Sequence, residues 1–134
     1  MSEIADFLRA RYAERRALAE SIHHRDCESL PDILYPGRET GACDCGEPAA
    51  VIADCDAKLA LVDDILAERH EVVEDPWYTC SAATEEHDGG RCCDQNRRGK
   101  PCDCGRDACV NRRLAILAQQ FAAHPEHKGE EWAP

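Results

Sequence analysis

The chain has 134 residues, a net charge of −11 and a 43% hydrophobic content carried largely by 20 Ala and 10 Cys. Only 22 residues are Leu, Ile, Val or Phe, so apolar burial is thin for so charged a chain and a further staple is expected. No apolar run approaches the roughly 18 residues of a membrane span, and Met1-Ser2-Glu3-Ile4-Ala5-Asp6 lacks the basic-then-apolar pattern of a signal peptide, so a cytoplasmic protein is expected.

The length fits one domain over residues 1–134. Ile4, Phe7, Leu8, Tyr12, Leu18 and Ile22 recur mostly at spacings of three and four, which predicts a helix over 3–22 with Ser2 as its N-cap. Residues 23–46 carry Pro31, Pro36, Gly37, Gly41 and Gly46 and read as a loop. Pro48 suits the start of a second helix over 48–70, along which Ile52, Cys55, Leu59, Val62, Leu66 and Arg69 form one narrow stripe. Residues 71–106 show no periodicity, yet hold five of the ten cysteines. So long a structureless connection must be ordered by something other than apolar packing. Val110, Leu114, Leu117 and Phe121 predict a third helix over 107–123, which His124-Pro125 ends. Trp132 is the one anchor in the polar tail. The expected fold is mainly α: three helices, the central one antiparallel to a neighbour, with a Cys-rich, metal-stapled connector.

In a reducing compartment, cysteines serve as metal ligands, reactive thiols or small buried apolar residues. Cys43-Asp44-Cys45-Gly46 recurs as Cys102-Asp103-Cys104-Gly105, each time at a predicted helix start. Free N–H groups there stabilise thiolate, the form that binds zinc. Common zinc sites use pairs spaced by two to four residues, whereas this chain has no Cys-x-x-Cys. A Cys-x-Cys pair does not easily place both sulfurs on one ion, although a following Gly helps. His23-His24 reads as a polar helix end, while His70 is the better ligand candidate. The zinc deaminase signature, thioredoxin chemistry, phosphate-binding loops and the Gly-x-Ser-x-Gly elbow are all missing. No catalytic residue is assigned. Glu85, Glu86 and His87 offer a general base that nothing fixes in place.

The stretch from Glu47-Pro48-Ala49-Ala50-Val51 through Ala57-Lys58-Leu59, the His70 helix end and the run Cys102-Asp103-Cys104-Gly105-Arg106-Asp107 carry a likeness, continued by Val110-Asn111-Arg112-Arg113-Leu114, His124-Pro125 and Glu131-Trp132. Together they resemble a family of small proteins of actinobacteria and their phages, catalogued as a domain of unknown function. The first Cys-x-Cys turn departs from the family pattern, and Phe121 is a weaker match near the last helix end. The resemblance implies a helical fold and an actinobacterial or phage source, and supplies no activity. It maps a His near the end of the middle helix, then scattered ligands, then a Cys before the last helix, onto His70, Cys80 and Cys102 or Cys104.

The expected ligands are therefore His70, Cys80, Cys102 and Cys104, with Cys93 in reserve, around zinc. The rival is a four-thiolate site in which Cys43 and Cys45 join the second repeated turn. The function expected is that of a non-enzymatic accessory protein with a protein partner and no membrane. Arg91, Arg97, Arg98 and Lys100 are its candidate contact residues, because residues 91–113 carry a local charge of +4. Alternative readings are a nucleic-acid-binding regulator using that basic loop, a DNA-mimicking inhibitor using the acidic block 26–75, and a thiol- or metal-dependent enzyme. The bland reading of that acidic block is a solvated helix face.

Overall fold

Three amphipathic segments account for the architecture. The computed structural model describes residues 2–71, 80–83 and 99–134, and among these it is mainly α-helical with no strand. Helix α1 spans Glu3–Ala17, α2 spans Glu47–Leu66 and α3 spans Arg106–Ala118. Ser2 caps α1, its hydroxyl accepting from the Ala5 N–H at 3.4 Å. Short 3-10 turns follow α1 at Ala19–Ser21 and α3 at Gln119–Phe121, and a third carries Trp132 at Gly129–Trp132.

The helix ends differ from the sequence expectation in an informative way. Helix α1 stops at Ala17 instead of 22, leaving Leu18 and Ile22 on the surface. Helix α2 stops at Leu66 instead of 70, and Arg106 donates to carbonyls at its end and just beyond it. The Arg106 Nη2 donates to the Leu66 carbonyl at 2.8 Å and its Nε to the Glu68 carbonyl at 2.7 Å. An arginine thus satisfies oxygens that a helix C-terminus leaves without partners. Arg69 and His70 consequently lie beyond the helix.

Arg9 pairs with Asp63 and Arg16 with Asp56, each at 2.8 Å. Forward along α1 is backward along α2, so the two pack antiparallel. Lys58 reaches Gln120, while Arg106 meets the C-terminal end of α2, so α3 is antiparallel to α2 as well. Tyr12, Leu8, Val62, Cys55 and Leu114 form the fully buried centre. On α2 the stripe is centred on Val51, Cys55, Val62 and Ile65, with Ile52, Leu59 and Leu66 at its margin. Trp132 folds the tail back onto Phe7, with ring centroids 5.0 Å apart. The carboxylates of Asp54, Asp56, Asp63 and Asp64 line the exposed side of α2, the solvated face that the acidic block suggested.

Between α1 and α2 the chain is built differently. From residue 20 to residue 47, Cys27 alone is buried. Ile33, Leu34 and Tyr35 stand exposed at the outer turn of this segment, Ile33 at 94%. Asp32 holds that turn by accepting from the N–H groups of Leu34 and Tyr35.

Candidate metal centres

Both repeated turns enter their helices through a glycine in the left-handed region. Gly46 has φ +71° and Gly105 φ +84°. This conformation is cheap for glycine and costly for other residues. It reverses the chain directly after the second cysteine, and both sulfurs of each pair then face one point. Cys43 and Cys45 bring their Sγ atoms to 3.7 Å, and Cys102 and Cys104 to 3.6 Å. The expected difficulty of Cys-x-Cys as a chelating pair is thereby corrected: the glycine removes it.

The two turns do not meet, so the four-thiolate site between them does not form. Each turn belongs to its own cluster, and all ligand atoms within a cluster lie within 4.8 Å of one another. In the first, Cys27 Sγ lies 3.7 Å from Cys43 Sγ. His23 Nδ1 lies 3.5, 3.4 and 3.7 Å from the sulfurs of Cys27, Cys43 and Cys45. In the second, Cys80 Sγ lies 3.8 Å from Cys102 Sγ, and His70 Nδ1 lies 3.6 and 3.7 Å from the sulfurs of Cys80 and Cys104. Each cluster can hold a metal ion with three sulfurs and one nitrogen.

The shells around the clusters repeat as well. Asp44 accepts from the N–H of Glu28, the residue after Cys27, at 2.9 Å. Asp103 accepts from the N–H of Ser81, the residue after Cys80, at 3.2 Å. In both, the aspartate between the paired cysteines clamps the strand of chain that delivers the lone one. Both histidines present Nδ1 and are held through Nε2. That of His23 donates to the Glu20 carbonyl at 2.8 Å, and that of His70 lies 3.5 Å from an Asp107 carboxylate oxygen. Such contacts set ring orientation and tautomer at metal sites.

Electrostatics favour thiolate at two sulfurs of the first cluster and one of the second. The Ser29 hydroxyl, with N–H groups of Ser29, Asp44 and Cys45, brings the Cys27 thiol down to about 5. Burial pushes the Cys80 thiol up, but N–H groups of Asp103, Ala82 and Cys104 outweigh it and bring it to about 6. The His24 N–H lowers Cys45. Burial and the neighbouring sulfurs raise Cys43 and Cys104. The His23 imidazole is raised, chiefly by Cys45.

Of the residues singled out from sequence, His70, Cys80, Cys102 and Cys104 come together, and Cys43 and Cys45 enter the other cluster. Cys93, Arg91, Arg97 and Arg98 lie outside the described residues, as do Glu85, Glu86 and His87. Lys100 is exposed. Two other basic residues of the 91–113 stretch face α2: Arg106 caps it, and Arg113 pairs with Glu68. His23 and Cys27 were missed. The echo of Cys-Asp-Cys-Gly could have found them, since a His followed by a Cys precedes each copy. Cys55 is core, buried against the helices.

Fold and sites together define a class: a mainly α-helical protein with a His/Cys cluster in each connection between the described helices. Within that class the chain belongs to DUF6221, a family of unknown function, whose model matches residues 1–134. No curated protein and no solved structure matches the chain. No helix among the described residues is long and apolar enough to cross a membrane.

Proposed function

We propose that this chain is a cytoplasmic, non-enzymatic interaction protein whose three helices are stapled by two zinc ions. The observation that carries the reading is the ligand geometry. A tetrahedral ion with Zn–S of about 2.3 Å and Zn–N of about 2.0–2.1 Å needs S···S near about 3.8 Å and N···S near about 3.5–3.6 Å. Four of the six S···S pairs are 3.6–3.8 Å apart and five of the six N···S pairs 3.4–3.7 Å, with all donors of each cluster within 4.8 Å of one another. Three sulfurs and one imidazole suit zinc better than calcium or magnesium, which take oxygen. Four protein donors fill a tetrahedral ion and leave no position for water or substrate, which supports structural use over catalysis. A protein partner is the reading favoured for the interaction, because a net charge of −11 disfavours nonspecific binding to phosphate backbones.

Native mass spectrometry beside a denatured spectrum tests the metal content, with two zinc ions per chain expected. A folded, thiol-reduced chain that carries no metal and melts at an unchanged temperature after chelation would overturn the staple. Turnover of a thiol or nucleotide substrate that is lost in Cys104→Ser while the fold persists would overturn the non-enzymatic reading.

A further inference from the structure

The two clusters share donors but differ in what surrounds them. Cys43 is exposed, and the segment from 20 to 47 has no buried residue besides Cys27. In the second cluster no ligand is exposed, Cys80 and its neighbours Ser81 and Ala83 are buried, and the His70 side chain is 9% exposed. Helices α1 and α2 meet through their own core and through Arg9–Asp63 and Arg16–Asp56, without the intervening segment.

We propose that the first cluster is an oxidant-responsive metal site, which a peroxide discharges by joining Cys43 to Cys27, while the second keeps its ion. The proposal rests on the two-zinc reading. The Cys43 thiolate attacks one peroxide oxygen, the O–O bond breaks, and the departing hydroxide takes a solvent proton. Cys43 is then a sulfenic acid. The Cys27 sulfur, 3.7 Å away, attacks Cys43, the S–S bond forms and the S–O bond breaks. The second hydroxide also leaves as water after taking a proton. The two thiolates have lost two electrons, and the peroxide has become two waters. Only His23 and Cys45 remain as donors, and the ion departs as the divalent cation. A dithiol reductant reverses the step by exchange through a mixed disulfide. Cys27 is the preferred partner because its sulfur is as near to Cys43 as that of Cys45, and a disulfide between Cys43 and Cys45 would have to close a strained ring across one residue. The discharged segment 22–46 loses its one buried anchor while the helices stay docked, so the step converts an oxidant into a local structural change.

The test treats the reduced, zinc-loaded full chain with hydrogen peroxide and follows zinc release with a chromophoric chelator. Native mass spectrometry and peptide mapping accompany it. One ion should leave about tenfold faster than the other, in keeping with the dependence of thiol oxidation on exposure. A Cys27–Cys43 disulfide and unchanged helical circular dichroism should go with that loss, and dithiothreitol with added zinc should restore two ions. Loss of both ions at one rate, first loss from the second cluster, or one-ion loss without a Cys27–Cys43 disulfide would overturn the proposal. A starting protein without zinc in the first cluster would instead overturn the two-zinc reading on which it rests.

Discussion

The turn before α2 and the turn before α3 carry the same tetrapeptide and the same donors, yet they are embedded in opposite ways. The second cluster sits beside the helical core and bridges the end of α2 to the start of α3, with Arg106 tying the same two ends. The first organises a segment that buries almost nothing. A repeated motif therefore specifies local chemistry, whereas the energetic weight of each copy depends on what the neighbouring chain contributes. Where packing is shared, a bound ion would reinforce a fold; where packing is missing, it would supply most of the order.

The largest expected effect is on the second copy. Cys80→Ser should lose one ion and the cooperative melt together. A structural zinc contributes on the order of 10 kcal/mol, comparable with the whole stability of a domain, about 5–15 kcal/mol. Metal counting with differential scanning calorimetry checks this, and a variant that melts normally with one ion would erase the contrast. Leu114→Ala, fully buried between the helices, should cost about 2–5 kcal/mol without changing metal content. Arg106→Ala should cost about 2 kcal/mol in urea unfolding, since it removes two charge-assisted hydrogen bonds to the α2 carbonyls. By contrast, Cys43→Ser should release one ion and leave the helical melt within about 1 kcal/mol of the parent. If it unfolds the helices, the first turn weighs as much as the second.

The comparison sharpens with pH in the metal-free, reduced protein, kept folded by a stabilising osmolyte. Cys27 titrates at about 5 and Cys80 at about 6 in the folded chain, both below the ordinary thiol value of 9.0. A depressed folded value means the unfolded chain binds more protons, so the stabilisation is complete above the ordinary value and shrinks as pH falls toward the folded one. Below about 5 for Cys27 and about 6 for Cys80 that contribution is gone. Ser29→Ala should move the Cys27 titration upward and leave Cys80 in place, which thiolate ultraviolet absorbance reads directly. An unmoved Cys27 titration would show that the hydroxyl does not hold the thiolate.

The helical stripes were legible because burial follows periodicity: Phe7, Leu8, Tyr12, Val62 and Leu114 are where spacing puts them. Helix ends were less so. Arg106, forty residues away from Leu66, donates at the end of α2, and no local pattern announces such a cap. His70, Cys102 and Cys104 stood out at the ends of a long connector that needs an anchor, and Cys80 through the family likeness. His23 and Cys27 did not, because a histidine after an amphipathic run resembles an ordinary polar helix end. The repeat was visible as a tetrapeptide, but its upstream half varies: three residues separate His23 from Cys27, and nine separate His70 from Cys80.

The placement of the two clusters has a bearing on how the chain reaches its fold. Ligands of the first lie within residues 23–45 and those of the second within 70–104, so neither ion waits for distant parts of the chain to find one another. Both spans are local compared with the contacts between helices, and contacts local in sequence favour rapid folding. If each cluster takes an ion as proposed, both connections would be ordered by contacts local to them, and the helices would then dock around them. What remains is a search among pre-shaped hairpins of helices.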